Sequence, residues 1–320
     1  MVSKREGIKG SKAVAGDVCL YNKTTNELCI IPSNEITTET YPISNYSPVG
    51  VVVVPGTHNV YGDGSCAVIS LMHMDNYNPD NGSYHVNNMY FGYYDTDINT
   101  LSNYNVVCVV GNNGKVSQTI ISTRNYAYLP SDKYTKVQNP YDKDTWYNYK
   151  DTNYYIPSPY NDDDSRNHAY YQTSSPSSTA NAMSDFDGVG NTTKLINLAT
   201  AQSDWKTAST ITNNGGSGYS PAACCCWRYH TEGTNQGDWY LPAIGELGYI
   251  MPKFNKIKQT ISSLWNIYSD EFASFTETHQ YWSSTEQDNK LCRCIGTGEG
   301  GIYDYDKNDD NYVRAFLRVK

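Results

Sequence analysis

The cysteines are the first residues to test for chemistry. Cys292-Arg-Cys294 places two thiols on one face of a strand, and Cys224-Cys-Cys226 lies in a segment that reads as helix. A structural zinc site needs four ligands converging on a tetrahedron. Successive helical side chains diverge by about 100°, so three consecutive cysteines cannot all face one ion. No Cys-x2-Cys pair occurs anywhere in the chain. Cys224–Cys226 therefore read as small core hydrophobes, and Cys292 and Cys294 as incidental products of a tolerant surface. Asp185-Phe-Asp187-Gly188 has the spacing of part of a calcium loop. Its first position would be Met183 and its twelfth Lys194, where a carboxylate is required. A turn built on Asx hydrogen bonding is the better reading. The six histidines contain no i, i+4 pair, and His230 reads as a helix-end residue. Neither a nucleophile elbow nor a phosphate-binding loop occurs. These residues predict no metal, no cofactor and no catalysis.

Binding chemistry is the alternative, and it is concentrated at residues 281–320. Two ordinary strand patterns, Tyr281-Trp-Ser-Ser-Thr-Glu286 and Tyr312-Val-Arg-Ala-Phe-Leu-Arg-Val319, bracket a stretch rich in Gly, Asp, Asn, Thr, Tyr and Cys. Val313, Ala315, Leu317 and Val319 fall on one face of a strand. The interior from 287 to 312 follows no packing pattern, and a polar, aromatic-studded surface on a rigid frame is what recognition needs. Trp282, Tyr303, Tyr305 and Tyr312 are candidate aromatic anchors. Asp288, Asn289, Asp304, Asp306, Asn308, Asp309 and Asn311 are candidate hydrogen-bonding groups. Arg293, read as the cation of the stretch, is a candidate carboxylate clamp. Trp239, Leu241, Tyr281 and Phe316 are assigned to the framework instead.

The frame must come from the rest of the chain. At 320 residues with a net charge of −9, the chain has room for two domains and is a poor partner for a phosphate backbone, so no nucleic acid is expected. Tyr supplies 30 of the hydrophobic residues, and with abundant Asn, Asp, Ser and Gly this resembles binding loops more than an enzyme core. The start of the chain lacks the apolar run of a secretory signal, and no stretch of 18 apolar residues is present, so neither export by that route nor membrane insertion is expected. With nine cysteines at irregular spacing, reduced thiols are expected.

The fold class read from the chain is α+β. Residues 1–15 form a basic arm. Residues 16–128 form a β-rich domain with a hairpin over Val18–Tyr21 and Leu28–Ile31, a strand at 49–54 buried on both faces, and further strands at Cys66–Met72, Met89–Tyr93 and Val106–Val110. From 129 to 184 periodicity disappears, and the segment reads as a surface excursion. The C-terminal domain, 185–320, carries helices at 192–207, at 221–229 behind a Ser220 cap and Pro221, at 244–250, and around Ile257, Ile261 and Leu264, with a short strand at 239–242.

Three segments of that last domain, Trp239-Tyr-Leu-Pro-Ala-Ile-Gly-Glu-Leu247, Tyr281-Trp-Ser-Ser-Thr-Glu286 and Val313-Arg-Ala-Phe-Leu317, resemble in order and spacing the C-type-lectin-like domain of Lcl-type bacterial adhesins and of many gut-bacterial phage proteins. Pro48-Val-Gly-Val-Val-Val-Val-Pro-Gly-Thr-His-Asn-Val-Tyr-Gly62 is similar to N-terminal domains of phage structural proteins, including those of crAss-like phages. The resemblance implies a lectin-like fold with a variable final surface, which in some relatives is diversified by retroelements. It implies a non-enzymatic virion head-fibre or decoration protein, a homotrimer, attached to capsid or other virion proteins through its N-terminal domain. Residues 287–312 would bind a host-surface glycan or protein. A cell-surface adhesin of the same fold and a purely structural decoration protein are the alternatives. The Glu-Pro-Asn, Gln-Pro-Asp and Trp-Asn-Asp signatures of calcium-dependent lectins are absent. Asp304, Asp306, Asp309 and Asp310 therefore read as solvated loop residues.

Overall fold

The computed structural model describes residues 7–74, 89–96, 98, 185–199, 218–250, 253–268, 272–273, 279–297 and 303–320 in full, and the backbone of 104–110, 116–122, 134–138, 145–149, 154–157 and 301–302. The fold is α+β. Its main sheet begins with the expected hairpin, β1 (Val18–Asn22) and β2 (Glu27–Ile31). Asn22 Oδ1 accepts from the backbone N–H groups of Thr24 and Thr25, at 2.9 and 3.3 Å, and Asn26 takes the left-handed conformation that closes the turn.

β3 (Tyr46–Val54) is the central strand, and Val49 to Val54 are buried without a break because both faces of the sheet are covered. β4 (Cys66–Ser70) follows it. The short strand β5 (Met89–Tyr90) comes next. Five strands then form a separate antiparallel sheet: β6 (Tyr104–Val110), β7 (Val116–Ser122), β8 (Tyr134–Gln138), β9 (Thr145–Tyr149) and β10 (Tyr154–Pro157), in the order β7-β6-β10-β9-β8.

Three of these strands, β8, β9 and β10, fall within 129–184, where the sequence shows no periodicity. Tyr134-Thr-Lys-Val-Gln and Thr145-Trp-Tyr-Asn-Tyr are built from aromatic and β-branched residues that suit a pleated surface without a clean polar–apolar alternation. Residues 158–184 lie outside the described residues.

The remaining elements are α1 (Gly188–Asn197), α2 (Pro221–Arg228), β11 (Trp239–Tyr240), α3 (Ile244–Gly248), α4 (Phe254–Tyr268), β12 (Gln280–Glu286), β13 (Leu291–Gly296), β14 (Gly301–Asp306), β15 (Asp310–Asn311) and β16 (Phe316–Val319). Helix α1 starts four residues earlier than expected, because Asp187 caps it by accepting from Gly190 N at 3.0 Å. It ends at Asn197, and 200–217 fall outside the described residues. Helix α2 has the Ser220 cap and the first-turn Pro221 read from the sequence, with Ser220 Oγ accepting from Ala223 N. Cys224 and Cys226 are buried on it, as small core residues. In α4, Phe254, Ile257, Ile261, Leu264 and Tyr268 form one buried stripe laid over β3.

The main sheet runs β11-β16-β4-β3-β1-β2 and is antiparallel throughout. The final strand pairs with the N-terminal part of the chain, Phe316 opposite Ile69 and Leu317 opposite Val68, and Trp239 then pairs with Leu317. The division at 128 and 185 into independent domains is therefore corrected. Residues before 100 and after 185 share a sheet and one continuous core, which runs from Ala13 to Val319. A boundary read from composition cannot see a pairing between residues 250 apart in sequence.

The final strand is enclosed for the same reason. Phe316 is as enclosed as Ala315, since a strand in the middle of a covered sheet buries both faces.

Candidate recognition site

The segment expected to be unpatterned folds as a sheet. β12, β13 and β14 pair antiparallel in that order, with Trp282 opposite Cys294 and Cys294 opposite Tyr303. β13 is a core strand, with Cys292, Arg293, Cys294 and Ile295 all buried. Cys292 Sγ donates to the carbonyls of Ser283 and Thr285, and burial pushes its thiol well above the usual range. Cys292 and Cys294 are thus packing residues, which corrects their reading as products of a tolerant surface.

Three of the twelve candidate contact residues belong to the interior. Trp282 is fully buried. Its indole N–H donates to Met89 O at 2.7 Å, and its ring meets Phe91 edge-on at 5.8 Å. Arg293 is 3 % exposed. It pairs with Asp304 at 2.7 Å and donates to Gln287 Oε1, so its carboxylate partner is supplied from within the chain. Burial raises the Asp304 carboxyl, and the Arg293 charge opposes that rise. Arg293 is also not the cation of the stretch, since Lys290 and Lys307 share it. Asn311 is 3 % exposed, on β15 opposite Met89.

Four more lie half-buried. Tyr303 and Tyr305 stand 6.3 Å apart on β14, and Tyr303 lies against Gly296, where a Cβ would come within 2.7 Å of its ring. Gln280 Nε2 donates to the Tyr305 hydroxyl. Tyr312 stacks on His279 at 3.8 Å. Asp306 is the fourth.

The outward-facing residues are Asp288, Asn289, Asp304, Asn308 and Asp309. Their types answer to turn geometry first. Asp288 Oδ1 accepts from Lys290 N and Leu291 N, at 2.7 and 2.8 Å. Asp306 Oδ1 accepts from Asn308 N, and Asp309 Oδ2 from Asp306 N, at 3.0 and 3.2 Å. The two turns, 287–290 and 306–309, sit side by side at one end of the sheet. Leu291 is opposite Asp306, and Lys307 N donates to Lys290 O at 2.8 Å.

Beneath them is a group that sequence reading passed over. Lys307 is fully buried and forms an ion pair with Glu286, the last residue of β12. Lys307 Nζ also donates to Thr96 O at 2.9 Å, and both Glu286 oxygens accept from Ile98 N at 3.1 Å. The pair thereby fastens the loop at 91–98 to the two turns. A lysine among turn residues gives no sequence signal of burial. The one available hint is that Glu286 closes the strand-like motif Tyr281-Trp-Ser-Ser-Thr-Glu286, whose preceding residues are buried.

At the other side of β12, two carboxyls are enclosed among neutral donors. Asp185 accepts from Asp187 N, Asn191 Nδ2 and Thr285 Oγ1, and burial pushes it up to about 6. Glu246 accepts from Tyr61, Tyr240 and Ala243 N, and burial pushes it up to about 7. Their surroundings hold α1 and α3 against the sheet, because Ile244 N also donates to Thr285 Oγ1 and Gly245 N to Asp185 O. Trp239, Leu241, Tyr281 and Phe316 are buried, in the framework positions assigned to them. Among the described residues, no three His, Cys, Asp or Glu side chains converge to hold a metal ion, and no helix is long and apolar enough to cross a membrane.

No family model and no curated protein matches the chain. Among solved structures, a fimbrial protein from Bacteroides ovatus overlaps it with a TM-score of 0.39 and 15% identity, over 95% of this chain and 48% of that one. The chain spans about half the length of that structure, and an overlap this loose carries no argument about function.

Proposed function

We propose that the chain is a non-catalytic recognition protein whose contact surface is the rim formed by the turns at 287–290 and 306–309 together with Asp304. The observation that carries this reading is the contrast across that one sheet. Its strands β12 and β13 are largely interior, Asp288, Asn289, Lys290, Asn308 and Asp309 of its two adjacent turns are exposed, and a buried ion pair fixes the turns from below. A surface whose backbone is already held loses little freedom when it binds. The hydrogen-bonding groups of Asn289, Asn308 and Asp309 face solvent on it.

The finer reading rests on the motif resemblance. It is a virion head-fibre or decoration protein with a lectin-like C-terminal part, attached to the particle through its N-terminal part, assembling as a homotrimer and binding a host-surface glycan or protein. Detection of the chain in purified particles supports this over a cell-surface adhesin. A stable monomer in sedimentation removes the trimer.

The test of recognition uses fluorescently labelled protein and a panel of intact gut-bacterial cells. Wild-type protein is expected to bind at least one strain. Asn289→Ala combined with Asn308→Ala, two exposed positions whose side chains make no turn hydrogen bond among those described, is expected to weaken that binding about tenfold. Absence of binding to every strain, or unchanged binding by the double variant, overturns the proposal.

A further inference from the structure

We infer that Tyr94 and Asp95, almost 200 residues upstream of the variable-looking stretch, form a third part of the same recognition rim, with Glu286 and Lys307 as the residues that position them. The inference rests on the reading above and extends it to a loop with no motif of its own.

The loop is held on both sides of Tyr94 and Asp95. On the N-terminal side, Phe91 is buried against Trp282. Gly92, at φ +89, passes so close to Tyr219 O that a Cβ would sit 2.2 Å from it. The Tyr93 hydroxyl donates to Leu195 O at 2.9 Å. On the C-terminal side, Thr96 O and Ile98 N are both bound by the Lys307–Glu286 pair. Between these anchors the chain turns outward through two non-glycine residues at positive φ, Tyr93 at 57° and Asp95 at 62°. Such a conformation persists where the surroundings over-determine it. Tyr94 and Asp95 are thereby presented beside the 287–290 turn. Lys290 Nζ lies 3.6 Å from Asp95 Oδ1 and 5.8 Å from the centroid of the Tyr94 ring.

An amphipathic aromatic ring, a carboxylate and an amine on a fixed backbone, next to the amides of Asn289 and Asn308, suit a polyhydroxylated partner. A sugar ring can stack on Tyr94 while its hydroxyls bond to the flanking groups. The partner class this rim fits is a surface glycan.

The experiment uses the full chain and the strain identified in the preceding assay, with intact cells and with polysaccharide released from them as the two probes. Tyr94→Ala removes the ring. Asp95→Gly removes the carboxylate while keeping a residue at ease at positive φ. Each is expected to weaken cell binding about tenfold with the thermal midpoint unchanged. The released polysaccharide is expected to compete with cells for wild-type protein. A Glu286→Gln variant is expected to lose hydrogen-exchange protection at the Ile98 amide and to bind more weakly, while amides in β3 keep their protection.

Wild-type affinity in both loop variants, alongside a loss in Asn289→Ala/Asn308→Ala, overturns this inference and leaves the recognition reading standing. Binding to no strain overturns both. Competition by protease-released surface protein, with none by polysaccharide, overturns the glycan assignment.

Discussion

Two neighbouring residues at the C-terminal end of β12, Thr285 and Glu286, take part in different solutions to one problem. At its C-terminal end a carboxylate is buried with a cation, Glu286 with Lys307. One residue before it, Thr285 donates to the buried Asp185, whose partners are neutral donors, and Glu246 is enclosed by Tyr61, Tyr240 and Ala243 N, with the Arg318 charge opposing the rise that burial causes. A paired charge in a dry interior is held by geometry and is costly to leave alone. A carboxyl among hydroxyls and amides has the easier course of keeping its proton, which is why burial lifts Asp185 to about 6 and Glu246 to about 7. The first arrangement locks loops to a sheet. The second makes the frame behind that sheet sensitive to rising pH.

The most forceful way to break this comparison is to orphan one partner. Lys307→Met leaves Glu286 buried beside an alkyl chain and is expected to cost about 3–5 kcal/mol in urea unfolding. Adding Glu286→Leu to it is expected to recover most of that loss, since both charges are then gone. If the single variant is as stable as wild type, the pair is not the interior lock described here.

The neutral side of the comparison predicts a pH profile. Both carboxyls have folded-state proton affinities above their ordinary ones, so the folded state holds the protons more tightly than the unfolded chain. Their stabilising contribution is complete below about 4 and is lost as pH rises through about 6 for Asp185 and about 7 for Glu246. At about 1.4 kcal/mol per tenfold change in proton affinity, each site accounts for roughly 3 kcal/mol. Wild-type protein is expected to unfold at lower urea at pH 8 than at pH 5, and Glu246→Gln to flatten the part of that slope centred near 7. A profile rising from pH 5 to pH 8 would sink the account of these two groups.

Next in size is Trp282→Phe, which keeps the aromatic packing on Phe91 but leaves Met89 O without its indole donor. A loss of about 1–2 kcal/mol is expected from the broken buried hydrogen bond, with cell binding retained once the protein is folded. A binding defect larger than the stability defect would return Trp282 to the contact surface.

Trp282 also shows where sequence reading stops. Its aromatic bulk in a strand-like motif was legible, but the side on which it is covered depends on Met89 and Phe91, which are almost 200 residues away. Local patterns carry through well. The hairpin at Asn22–Asn26, the Ser220-Pro221 helix start, the valine run of β3 and the stripe of α4 are each set by neighbours within a few residues. Pairings between distant segments are not written in period or composition. The β16–β4 ladder joins what read as two domains, and β13 became interior because β12 and β14 flank it.

Asp and Asn at 288, 306, 308 and 309 were legible as polar. Three of the four turn out to hydrogen-bond to nearby backbone, so the same composition serves the turn and the contact surface together. Lys307 was illegible for the opposite reason. A lysine in a polar loop normally snorkels to water, and only the closed rim makes this one an interior residue.

The smallest expected effect sharpens the comparison by setting the buried ion pair against an exposed one in the same loops. Lys290 and Asp95 meet at 3.6 Å with side chains 54% and 59% exposed. Water screens them, and fixing two mobile side chains offsets much of the attraction, so Lys290→Ala is expected to change stability by less than ~0.5 kcal/mol. The same charge type on Lys307, paired with Glu286 in the interior, is worth several times that when orphaned, and burial accounts for the difference. The two lysines should therefore separate by readout. Loss of Lys307 should appear in unfolding and in exchange at Ile98. Loss of Lys290 should be silent in both and visible only in cell binding, where the amine stands next to Tyr94 and Asn289. If Lys290→Ala unfolds the protein, the rim is part of the frame and the division between lock and contact surface fails.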